Sequence, residues 1–130
     1  LSQLMHVLQR CRWVIGADTG PLHLGALVGS RALGFYFSRA RVHETGPYGE
    51  HHWVYQSATQ HQPDSWPIME SIALICNDQP PHAPGWTLWR SHMDQWGVLF
   101  DDGSGNEAAV RERATIWRAC APALYESVAA

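Results

Sequence analysis

Apolar positions change period twice in the first third of the chain, and each change marks an element. Leu1, Leu4, Leu8 and Cys11 recur at three- and four-residue steps, which predicts an amphipathic helix over residues 2 to 11. Trp-Val-Ile-Gly-Ala (13 to 17) is a short unbroken apolar run, as in a strand covered on both faces. It stops at Asp18-Thr19-Gly20-Pro21. Pro21 suits a first helical position, where its missing N–H is not needed, and Leu22, Leu24, Ala26, Leu27 and Val28 carry a second helix to Gly29. Arg-Ala-Leu-Gly-Phe-Tyr-Phe (31 to 37) then reads as a second strand. Helix, strand, helix, strand in this order predicts an α/β fold with a parallel sheet.

A loop carrying Arg39, Arg41 and His43 follows, then the turn Thr-Gly-Pro-Tyr-Gly (45 to 49) and a third strand over 51 to 57. Ser65 reads as an N-cap, with Ile68, Met69, Ile72 and Ile75 on one helical face. Residues 77 to 84 are polar and proline-rich, as in a linker or long loop. Residues 85 to 100 hold three tryptophans and no clean period, and 101 to 105 form a turn. Val110, Ala114, Trp117, Ala121, Leu124 and Val128 lay out one stripe of a last helix, which Pro122 should kink.

Composition narrows the function classes. With 130 residues the chain reads as one domain, and its net charge of -3 without a basic block argues against a nucleic-acid partner. No apolar run reaches membrane-spanning length, and the opening residues lack the basic region of a signal peptide. There is no initiator Met, so the chain reads as cut from something longer. Cys11, Cys76 and Cys120 sit among apolar residues, as buried reduced thiols in a cytoplasmic protein would. The histidines show no metal-ligand spacing; His51 and His52 are adjacent and would point to opposite faces of a strand. Trp86, Trp89 and Trp117 are read as core packing rather than sugar platforms. Neither a Gly-x-Ser-x-Gly elbow nor a P-loop is present.

The chemistry therefore concentrates at residues 16 to 23. First-turn amides near Gly20, Leu22 and His23 and the helix dipole favour an anion, while Asp18 is an acceptor suited to sugar hydroxyls. Thr19 adds a hydroxyl for a phosphate oxygen. A nucleotide-sugar carries both kinds of group. Two other readings stand beside this one: Asp18 and Thr19 as simple helix caps, and His23 as a structural residue of the first turn.

"GADTGPLHLGALVG", followed by a strand and "TGPYG", resembles the carboxyl-terminal domain of glycosyltransferase family 9, the ADP-heptose:lipopolysaccharide heptosyltransferases. The resemblance covers roughly residues 1 to 76. It implies a partial Rossmann-like domain, the carboxyl-terminal half of a GT-B enzyme, with a helical tail. Residues 1–78 would be the nucleotide-sugar-binding part, and 79–130 a linker and Trp-rich tail packed on the same domain. It implies that Asp18 binds the donor sugar and that Thr19 and Gly20 hold the diphosphate, with Pro21 and His23 beside them in the donor site. Arg39, Arg41, Gly46 and Tyr48 are further candidate donor or diphosphate contacts. The implied function is inverting transfer of a heptose-like sugar from a nucleotide-diphosphate donor (the substrate, with no cofactor and no metal) to a lipopolysaccharide-core or similar glycan. The alternative is a non-catalytic nucleotide-sugar-binding or protein-interaction module. The acceptor site and general base would lie in an upstream domain, which leaves no catalytic residue in this stretch and the isolated chain inactive. Family members carry a Gly-x-Thr-x-Pro-like loop where this chain has Ala40 and Val42. A cytoplasmic location at the inner face of the membrane is expected, as is a homodimer through the sheet edge or apolar helix faces, because three parallel strands leave edges open.

Overall fold

The computed structural model describes residues 1–58, 83–95 and 97–103, with positions 73, 75, 77, 78, 119, 120 and 123 besides. Its elements are α1 (Ser2–Gln9), β1 (Trp13–Ala17), α2 (Gly20–Leu27), β2 (Arg31–Tyr36), α3 (Val42–Thr45), β3 (Trp53–Ser57), β4 (Trp86–Asp94) and β5 (Gly97–Asp101). The strands form one mixed sheet in sequence order. β1, β2 and β3 are parallel, as the alternation of helix and strand requires; β4 and β5 add an antiparallel hairpin. The fold class is thus α/β, with a mixed rather than wholly parallel sheet.

Three expectations need correction. Residues 85 to 100, which show no period and fall in the expected linker and helical tail, supply β4 and β5 and continue the sheet. The loop after β2 contains α3, one turn of helix closed by Gly46. The helices expected around residues 65 to 75 and 110 to 128 lie outside the described residues, apart from helical positions 73, 75, 77, 119, 120 and 123. Cys11 is half-buried and Cys120 exposed, so the expectation of uniformly buried thiols fails; both are free.

β2 explains the layering. Ala32 to Tyr36 are all buried, with alternate side chains serving two separate cores. Leu33 and Phe35 pack with Trp53, Tyr55, Trp86 and Ala83 on one face, where Phe35 stacks on Tyr55 at 5.8 Å. Ala32 and Tyr36 pack with Leu22, Val42, Val54 and Phe100 on the other. Glycines let α2 lie flat on this second face. A Cβ on Gly25 would stand 2.6 Å from Val14 Cγ2, and one on Gly34 would stand 3.2 Å from Leu22 Cδ2. The helix closes through Gly29 at φ 106°, a conformation open to glycine and strained for other residues.

The end of the sheet where β2 and β3 begin is fixed by His52, which is 4 % exposed. Its Nδ1 accepts from the Ala32 amide at 3.0 Å and its Nε2 donates to the Tyr48 carbonyl at 3.2 Å. The His52 amide donates to Ser91 Oγ, and the Ser91 amide returns a bond to the His52 carbonyl, both at 2.8 Å. One residue therefore ties β2, β3 and β4 at their common end, and it does so with a neutral ring. Burial pushes the His52 pKa down from 6.5 to about 4; Arg31 and His51 push the same way, and the Tyr48 carbonyl opposes them.

Because that value is lower in the folded protein, the unfolded chain takes up the proton first as pH falls. The His52 contribution is complete above pH 6.5 and is lost on the way down to about 4, roughly 3 kcal/mol in all. Urea unfolding at pH 7.5 and 4.5 measures this, and His52→Gln should flatten that part of the slope. Gly25→Ala should destabilise the fold by about 1–3 kcal/mol through overpacking against Val14. Adding Val14→Ala should recover part of the loss, again read by denaturant unfolding.

Candidate functional site

β1 ends at Ala17 and α2 starts at Gly20, so Asp18 and Thr19 must turn the chain within two residues. Thr19 takes the extended N-cap conformation (φ -137°, ψ 162°), yet no side chain caps this helix. Its hydroxyl instead donates to the Ala17 carbonyl at 3.4 Å. Thr19 thus holds the N-cap position of α2 without a side-chain capping bond. The His23 amide donates to the Thr19 carbonyl at 3.3 Å, leaving the first-turn amides of Gly20 and Leu22 without an intrahelical acceptor. Pro21 follows Gly20 on the exposed side of this turn.

Asp18 is occupied on both oxygens. His23 Nε2 donates to Oδ1 at 2.7 Å, and Thr45 Oγ1 donates to Oδ2 at 2.8 Å. The Asp18 and His23 side chains are 23 % and 34 % exposed, so both remain within reach of a ligand. Thr45 comes from the end of α3, twenty-seven residues away in sequence. Its backbone carbonyl is held in turn by the Tyr36 hydroxyl at 2.6 Å, from the last residue of β2. Burial raises the Tyr36 pKa beyond its ordinary range, and the adjacent Asp18 carboxylate adds to the shift. Tyr36 therefore stays a neutral donor across the physiological range.

The remaining candidates are spread out. Arg39 is exposed on the loop after β2; Arg41 is half-buried at the N-cap of α3, its Nη1 donating to the Ala40 carbonyl at 3.4 Å. Gly46 is a packing residue, because a Cβ there would run into the Phe100 ring and the Val42 carbonyl. Tyr48 is 54 % exposed and contributes its carbonyl to His52. Gln56 anchors this loop from β3: its Oε1 accepts from the Val42 amide at 3.0 Å, and its Nε2 donates to the Ala40 carbonyl at 3.1 Å. The structure brings Asp18, Thr19, Gly20 and His23 together and adds Thr45 and Tyr36, which sequence reasoning missed. Thr45 opens the quoted turn motif, and Tyr36 closes the second strand at the same end of the sheet; both were signals of position only.

Two cavities lie elsewhere. One of about 490 Å³ over β3, β4 and β5 is lined by Trp86, Arg90, His92 and Asp101; one of about 470 Å³ is lined by Arg31, His51, His52 and Asp78. Trp86 is buried against Phe35 and Tyr55, and Trp89 meets the His43 ring at 4.7 Å, so both pack as expected. Among the described residues no group of three or more His, Cys, Asp or Glu side chains is placed to hold a metal, and no helix is long and apolar enough to cross a membrane. The Asp18 cluster sits instead at the carboxyl ends of the parallel strands, where open α/β sheets bind ligands.

Comparison with curated proteins and with solved structures finds no match. The model of glycosyltransferase family 9 (heptosyltransferase) matches residues 1–67, a span that runs from α1 through β3 and includes Asp18, His23, Tyr36 and Thr45. A match over more than half of the chain decides the matter: this chain belongs to glycosyltransferase family 9.

Proposed function

We propose that this chain is the donor-binding part of an inverting glycosyltransferase of the GT-B type, its sheet belonging to a Rossmann-like domain. The donor is a nucleotide-diphosphate sugar of the ADP-heptose kind, and the acceptor is a lipopolysaccharide-core or similar glycan. The reaction is placed at the inner face of the cytoplasmic membrane. Family membership supports glycosyl transfer itself. The observation that carries the finer reading is the Asp18 carboxylate, oriented by His23 and Thr45 beside the first-turn amides of α2. Those amides and the helix dipole suit a diphosphate. The carboxylate suits the hydroxyls of the sugar, since each carboxylate oxygen retains a lone pair after accepting one bond.

In the transfer, an acceptor hydroxyl oxygen forms the new bond to the anomeric carbon as the bond from that carbon to the diphosphate oxygen breaks. The proton of the hydroxyl passes to a base of the acceptor side. Negative charge grows on the leaving diphosphate, over the start of α2, where dipoles already fixed by the fold need no reorganisation. The alternative of a non-catalytic module draws on Ala40, which replaces a loop hydroxyl of the family. Thr45 supports the enzyme reading, because it delivers a hydroxyl to Asp18 from the same loop region.

ADP or pyrophosphate added to the chain should shift the amide resonances of Thr19, Gly20 and Leu22 first, with affinity near the millimolar scale, about -4 kcal/mol. Shifts scattered over the surface and absent from these amides would remove the anion site. In the full-length enzyme, Asp18→Ala should lower sugar transfer by roughly 100-fold or more, if its bonds tighten in the transition state. Unchanged turnover in a folded Asp18→Ala enzyme would rule out the donor-sugar role.

A further inference from the structure

Asp18 leaves β1 on a two-residue turn, and its carboxylate meets side chains of other elements. His23 approaches from α2 and holds Oδ1, while the opposite oxygen is held from a different element. We propose that Thr45 is a positioning residue for sugar transfer, its hydroxyl fixing the Asp18 carboxylate in the orientation that receives the donor sugar. The inference rests on the donor-binding reading of Asp18.

Three observations carry it. The Thr45 hydroxyl has one proton and three acceptors near it, the Asp18 carboxylate at 2.8 Å, the Arg41 carbonyl at 3.3 Å and the Tyr36 phenol oxygen. The shorter bond goes to the charged acceptor, and charge-assisted hydrogen bonds are the stronger ones. Thr45 is itself held by its backbone: the Tyr36 hydroxyl donates to its carbonyl, and its amide donates to the Arg41 carbonyl at 3.0 Å. The backbone thus closes α3 without the side chain, whose shorter bond goes to Asp18. Finally, Gly46, next in sequence, is pressed against Phe100 of β5. The position of Thr45 is consequently set from both halves of the sheet, by Tyr36 and Gln56 on the parallel strands and by Phe100 on β5.

The backbone anchoring makes the test clean. Thr45→Val removes the hydroxyl and keeps the shape, the carbonyl that receives Tyr36 and the amide bond to Arg41. In the full-length enzyme, Thr45→Val should lower kcat/KM for the nucleotide-sugar about tenfold, with the KM of the acceptor unchanged and the unfolding midpoint preserved. Thr45→Ser, which restores a hydroxyl, should return to within about twofold of the starting enzyme. In the chain itself, the ring ¹⁵N shifts of His23 should move in Thr45→Val and return in Thr45→Ser, since His23 shares the carboxylate. Should Thr45→Val lower the unfolding midpoint, Thr45→Ala measured beside Thr45→Ser carries the same comparison. Full activity and unmoved His23 shifts in Thr45→Val, with Asp18→Ala inactive, would overturn the role of Thr45 alone. Full activity in Asp18→Ala would overturn the donor-binding reading and this inference with it.

Discussion

The close seat of α2 on the parallel strands is the constraint on which the rest depends. Helix and sheet meet where side chains are absent: at Gly25 over Val14 and at Gly34 beneath Leu22. Interiors pack at near-crystalline density, so this contact fixes the height of the helix above the sheet to within a methyl group. The Asp18–His23 bond needs that precision. One partner rides on the end of β1, the other on the first turn of α2, and 2.7 Å separates them. A helix lifted by one side chain would open the pair and swing the Gly20 and Leu22 amides away from the carboxylate.

At the far end of the same strands, His52 does what a hydrophobic residue could not. A parallel strand leaving a turn has unpaired amides at its start, and a buried one must find an acceptor. The neutral imidazole offers an acceptor to Ala32 and a donor to Tyr48, and its own amide reaches Ser91, so three strands are closed by one residue. The hairpin of β4 and β5 then extends the sheet and sets Phe100 against Gly46. Through that contact the antiparallel half joins Tyr36 and Gln56 in holding the turn that presents Thr45.

What the sequence disclosed and what it hid follow from the range of each interaction. β1 and β2 are short apolar runs, β1 followed by Gly20-Pro21 and β2 preceded by Gly29, so local composition names them; the Asp-Thr-Gly-Pro junction is equally local. β4 hid because its faces are chemically mixed. Trp86, Leu88, Arg90 and His92 share one face, and Arg90 lies over the Trp53 ring at 5.4 Å. A charged residue that covers an aromatic ring erases the alternation of apolar and polar positions by which strands are recognised. The hairpin turn left one mark, Gly97 at φ 109°. Thr45 and Tyr36 were hidden for another reason. Their value lies in meeting Asp18 across the sheet, and no spacing along the chain records a contact between positions 18 and 45.

On the donor-binding reading, the site holds an anion hole and a carboxylate side by side, and these oppose each other. A phosphate charge about 5 Å from a carboxylate is disfavoured by about 3 kcal/mol at an effective dielectric near 20. The donors on Asp18 offset part of this, since His23 and Thr45 both place positive hydrogen ends against its oxygens. The remainder works as selection. A bare phosphate gains the amides and meets the repulsion with nothing in return. A sugar alone gains the carboxylate and leaves the amides unfilled. Only a ligand that carries hydroxyls and phosphate in a fixed order gains both, because a bond from its hydroxyl to Asp18 draws charge away from the oxygen that the phosphate faces. The juxtaposition that weakens each half of the site is therefore what makes it discriminate, and it operates only while Asp18 is held still.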